Sequence, residues 1–105
     1  MARAKDAFVH QYGPWALIAG GAEGLGLAFA EALAAQGLSV FLIDKQKEAL
    51  AKSVAMLAEK YPVSVRGLEL DLSKHEALSL IEKETQGFEI GTLVYSAAFV
   101  PRGDF

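Results

Sequence analysis

Four glycines, Gly20, Gly21, Gly24 and Gly26, fall within seven residues of the stretch AGGAEGLG. An acid, Asp44, lies 24 positions after the first of them. The apolar run WALIA precedes the glycines, and apolar residues at helical spacing follow. This is the setting of a phosphate cradle. The first amides of a helix have no partner inside it, and the helix dipole places partial positive charge there. Glycines allow a sharp turn and let a pyrophosphate approach with no Cβ in the way. A carboxylate about 20 residues further on is placed to accept hydrogen bonds from a ribose diol.

The spacing separates the known cradles. A P-loop needs lysine after its last glycine, and no lysine occurs between Gly20 and Gln36. The Gly-x-Gly-x-x-Gly form would need glycine at position 29, where Phe29 stands. What remains is Gly20-x-x-x-Gly24-x-Gly26. Ala22, Glu23 and Leu25 fill its gaps, so their backbone lines the same loop.

The elements that must hold this loop follow from punctuation and periodicity. Residues 3–11 read as a helix stopped by Tyr12-Gly13-Pro14. Residues 15–19 read as a buried strand. Leu25, Ala28, Phe29, Ala32 and Leu33 mark the apolar face of a helix to Gln36, with Gly37 as its C-cap. Residues 39–43 form a second strand ending at Asp44, and residues 46–60 a second long helix closed by Tyr61-Pro62. A third strand covers 63–70. Ser73, with Glu76 three residues on, predicts the N-cap of a helix reaching Gln86. Residues 92–97 form a fourth strand. Alternating strands and helices predict right-handed crossovers and a doubly wound α/β parallel sheet of Rossmann type, ordered 3-2-1-4. The division expected is a helical lead-in over 1–14 and a partial Rossmann domain over 15–105.

Composition agrees with a single small domain. The chain has 105 residues, of which 52% are hydrophobic and 22% charged, enough to build a core. A net charge of −3 argues against a nucleic-acid surface. With no cysteine, disulfides and thiolate metal sites are excluded. No apolar stretch approaches the roughly 20 residues that span a bilayer, and no secretory h-region is visible. A cytoplasmic protein without membrane contact is expected. His10 and His75 lack partners at metal-ligand spacing. Trp15 and Phe29 read as core, and Glu82, Lys83 and Glu84 as a solvated face.

At these residues the sequence resembles the short-chain dehydrogenase/reductase family, whose fingerprint is Thr-Gly-x-x-x-Gly-x-Gly after the first strand. Gly20, Gly24 and Gly26 match the three glycines, and Ala19 stands in place of the threonine. The resemblance covers residues 15–100 and implies a dinucleotide cofactor and hydride transfer to or from a carbonyl or alcohol. In a sheet ordered 3-2-1-4 the fourth strand is an edge with an uncovered apolar face, so self-association into a homo-oligomer is expected. It implies that Asp71 contacts adenine, with the backbone of Leu72 beside it. Asp71 also suits the start of the following helix. The family's Asn-Asn-Ala-Gly aligns with Tyr95-Ser96-Ala97-Ala98, so Ala97 and Ala98 become candidate cofactor contacts and Ser96 a departure. The Tyr12-Gly13-Pro14-Trp15 lead-in is similar to that of members acting on steroid or long-chain acyl carbonyls.

Cofactor choice is expected to favour NAD over NADP. Asp44 accepts a ribose diol and repels a 2′-phosphate, and Glu23 occupies the position where NADP users often carry a base. Lys45 is the counter-signal. The family's catalytic Tyr-x-x-x-Lys is missing: Ala16, Val65 and Phe99 stand four positions after Tyr12, Tyr61 and Tyr95. No catalytic residue is therefore assigned, and the chain is expected to be an inactive piece of a larger oxidoreductase. A stand-alone dinucleotide-binding or regulatory module, or a domain for a mononucleotide or adenosyl cofactor, are the other readings.

Overall fold

A computed structural model describes residues 3–95. The elements run α1 Arg3–Tyr12, β1 Trp15–Ala19, α2 Gly24–Ala35, β2 Ser39–Asp44, α3 Lys47–Lys60, β3 Val65–Glu69, α4 Ala77–Glu84 and β4 Ile90–Tyr95. The four strands form one parallel sheet in the order β3-β2-β1-β4. This is the expected doubly wound topology. β1 and β2 are central and almost wholly buried, as continuous apolar runs must be when both sheet faces are covered. β4 alternates half-buried and exposed residues along an edge.

The sheet separates two cores. Ile18, Val40 and Leu42 pack on one face with Ala30 and Ala34 of α2 and Leu50 and Leu57 of α3. On the other face Leu17, Phe41 and Ile43 meet Leu70 and Ala77, with Ile81 of α4 against them. Trp15, Phe41 and Phe88 close that side edge-to-face, with centroids 4.8–6.4 Å apart. Trp15 is half-buried and packs against this core, as the sequence reading expected.

α2 corrects the sequence reading. Its buried residues are Gly26, Ala30 and Ala34. Leu25 is 67% and Phe29 43% exposed, and Ala28 and Ala32 are also exposed. The smallest side chains recur every four residues along one face, and that face lies closest to the strands. Gly37 closes α2 at φ +99°, with Leu38 N–H donating to Leu33 O at 3.1 Å and Gly37 N–H to Ala34 O at 2.9 Å. This is a Schellman cap, which a left-handed glycine permits.

α4 is shorter than the predicted 73–86 helix. Ser73 does not cap it: its N–H and Oγ both donate to Asp71 Oδ1, at 2.9 and 2.7 Å. The local turn takes the groups that a capping box would use. At the opposite end of the sheet, Gly91 admits the chain beneath α1; a Cβ there would stand 2.5 Å from Gly13 O. Among the described residues no helix is long and apolar enough to cross a membrane, and no cluster of His, Asp and Glu could hold a metal.

Candidate functional site

In an open parallel sheet, ligands bind at the carboxyl ends of the strands, where the strand order reverses. Here β1 lies between β2 and β4, so that point is the end of β1. The glycine loop leaves the sheet there. Gly20 takes φ +84°, and its N–H donates to Ile43 O at 2.7 Å. Gly21 lies flat on the sheet: a Cβ would come within 2.8 Å of Leu42 Cδ2 and 3.2 Å of Ile18 O. The loop then rises into α2.

The two remaining fingerprint glycines have different tasks. Gly24 begins α2 with φ +59°, and a Cβ on it would meet open space. Gly26 is buried against the sheet. The first turn of α2 therefore faces outward at Gly24 and Leu25, with amides that the helix itself leaves unpaired. Nothing acidic lies in that turn. These residues fit a pyrophosphate: an open approach, a left-handed glycine and a helix N-terminus of twelve residues.

Ala22 and Asp44 are placed together at the carboxyl end of the sheet. Ala22 is 2% exposed. Its N–H donates to Asp44 Oδ2 at 3.1 Å, and its carbonyl accepts from Ser53 Oγ at 2.7 Å. Asp44 is 9% exposed, and its other oxygen accepts from Gln46 N–H at 3.0 Å. The carboxylate expected to accept a ribose diol also accepts two backbone amides, that of Ala22 in the glycine loop and that of Gln46. This arrangement weakens the charge argument for NAD, since the carboxylate does not project from the surface. Asp44 joins the start of α3 through Gln46, yet it is not the N-cap; Gln46 is.

Glu23 is exposed, and its Oε1 accepts from Gln46 Nε2 at 3.2 Å. Lys45 is exposed on the adjoining turn. Leu70 N–H donates to Asp44 O at 2.9 Å, which brings Asp71 and Leu72 to the same sheet edge, both half-buried. The Ser73 hydroxyl and N–H hold the Asp71 carboxyl below its ordinary value, with smaller help from the Lys45 and Lys74 charges. Ala97 and Ala98 lie outside the described residues.

Ser53 and Gln46 were not singled out from sequence, and Gly21 entered only as one of the four loop glycines. Ser53 carried a signal: it is a polar residue on the face of α3 that buries Leu50 and Leu57.

The short chain dehydrogenase family matches residues 14–105. The chain is 32% identical to 17-beta-hydroxysteroid dehydrogenase type 3 of Danio rerio over 91% of its own length and 31% of the relative's. It superposes on a solved 7beta-hydroxysteroid dehydrogenase with TM-score 0.82 and 32% identity, over 87% of this chain and 36% of that one. It also resembles L-sorbose reductase from Gluconobacter frateurii, solved with NADPH and L-sorbose. There the TM-score is 0.68 and the identity 29%, over 72% of this chain and 29% of that one. The chain spans about a third of the length of the curated relatives it matches. By fold, loop and likeness, it belongs to the short-chain dehydrogenase family, whose members bind NAD(P).

Proposed function

We propose that this chain is the dinucleotide-holding part of an NAD(P)-dependent oxidoreductase that interconverts a carbonyl and an alcohol. One observation carries this reading: the open, left-handed Gly24 at the start of α2, beside the end of β1. The amides of Gly24, Leu25 and Gly26 bind the pyrophosphate. Asp71 and Leu72 line the adenine end, and Ala97 and Ala98, by sequence, are further contacts. Bound NAD(P) supplies or accepts the hydride.

NADP stands level with NAD in this proposal. Asp44 is turned inward, and Lys45, exposed on the turn after β2, is the cation assigned to the 2′-phosphate in this reading. The names of relatives favour a bulky, steroid-like carbonyl as the substrate class. The Tyr-x-x-x-Lys pair is absent from the 105 residues, so the chain by itself binds without turnover.

Calorimetric titration with NADP, NAD and S-adenosylmethionine tests this reading. Saturable heat is expected with the dinucleotides and none with S-adenosylmethionine. Failure of both dinucleotides to bind would overturn it.

A further inference from the structure

Ser53 lies in the middle of α3, 31 residues from Ala22, and is 5% exposed. A helical serine hydroxyl ordinarily turns back to the carbonyl four residues earlier. Here it leaves its own helix and donates to Ala22 O at 2.7 Å. Ala22 is thereby held from both sides, by Asp44 at its N–H and by Ser53 at its carbonyl. A peptide plane is rigid, so fixing the Ala22 carbonyl also fixes the plane it shares with Glu23 N–H. That plane begins the turn into Gly24.

We propose that Ser53 is a positioning residue for the dinucleotide, setting the direction of the loop amides without touching the ligand itself. The inference rests on the phosphate-cradle reading above. Its physical content is preorganisation. A loop already held in its binding conformation spends less free energy on ordering when an anion arrives. The hold is buried, so water does not replace the hydroxyl without disturbing the core. The effect is independent of the 2′-phosphate, because Ser53 acts on the pyrophosphate side of the loop.

The test compares Ser53→Ala, Ser53→Thr and Val54→Ala in the whole chain by calorimetry with NADP and NAD. Val54 packs on the core beside Ser53 and makes no hydrogen bond to the loop, so its truncation controls for loss of stability. Ser53→Ala is expected to weaken both dinucleotides by about three- to tenfold, equally. Ser53→Thr, which keeps the hydroxyl, and Val54→Ala should stay within about twofold of the parent chain. Amide exchange at Glu23 and Gly24 should quicken in Ser53→Ala without ligand, and not in Val54→Ala. Unchanged affinity in Ser53→Ala, or an equal loss in Val54→Ala, would overturn the proposal while leaving the cradle intact. Absence of binding by the parent chain would overturn the cradle reading and this inference with it.

Discussion

Asp44 and Ala22, 22 residues apart, are joined by a buried hydrogen bond of 3.1 Å from the Ala22 amide to the Asp44 carboxylate. The acid at the end of β2 thus holds the loop that follows β1. Removing it leaves a buried N–H without a partner, which costs about 1–3 kcal/mol. Asp44→Ala should lower stability by that amount in urea denaturation. Asp44→Asn should fall between the two, since its carbonyl oxygen serves one amide while its NH2 faces the other.

Gly21 and Gly24 separate packing from binding. Gly21→Ala drives a Cβ to 2.8 Å from Leu42 Cδ2 and 3.2 Å from Ile18 O, so the core must shift. We expect a loss of about 1–3 kcal/mol from overpacking. Gly24→Ala meets no atom, and its cost is the left-handed backbone at φ +59°, about 1–2 kcal/mol. Only Gly24→Ala places a methyl group where the proposed pyrophosphate would approach. Thermal melts with and without NADP should show Gly24→Ala losing ligand stabilisation, whereas folded Gly21→Ala keeps it.

The cluster joining α2 to the end of α3 predicts a pH dependence. Glu31 accepts from Lys60 Nζ and Tyr61 OH, both at 3.0 Å. The Lys60 bond, then the Tyr61 bond, lower the Glu31 carboxyl below its ordinary 4.5, and Glu31 raises Lys60 above 10.5. The carboxylate's contribution is complete above 4.5 and fades as pH falls through its lowered value. The ammonium's is complete below 10.5 and fades as pH rises through its raised value. The stability difference between the parent chain and Glu31→Gln should therefore be flat between those limits and shrink outside them. Added salt should reduce it, because the pair is exposed.

Much of this was legible in sequence, and the misses have physical causes. The strands and their order follow from short apolar runs cut by Gly, Pro and Asp. The glycine spacing located the loop between β1 and α2. The buried face of α2 was misread because Gly24–Ala35 is apolar nearly all round. Periodicity then marks no unique stripe, and close approach to the sheet selects the smallest residues. Asp44 was found by position, but a spacing does not show that its carboxylate also accepts the Ala22 amide. Ser53 needed the tertiary contact: one serine among apolar neighbours does not name its partner.

Lys45 tests cofactor choice. Lys45→Ala should weaken NADP by about three- to tenfold and leave NAD nearly unchanged, because only NADP carries a 2′-phosphate for the proposed ammonium contact. Paired calorimetric titrations measure the ratio. Equal effects on the two cofactors would remove Lys45 from the ribose end.

The central claim is that the first turn of α2 receives the pyrophosphate. Two-dimensional amide NMR of the chain during NADP titration tests it residue by residue. The account predicts the largest shifts at the amides of Gly24, Leu25 and Gly26, with smaller ones at Lys45 and Leu72. Shifts confined elsewhere, or a loop unmoved at saturating NADP, would contradict it.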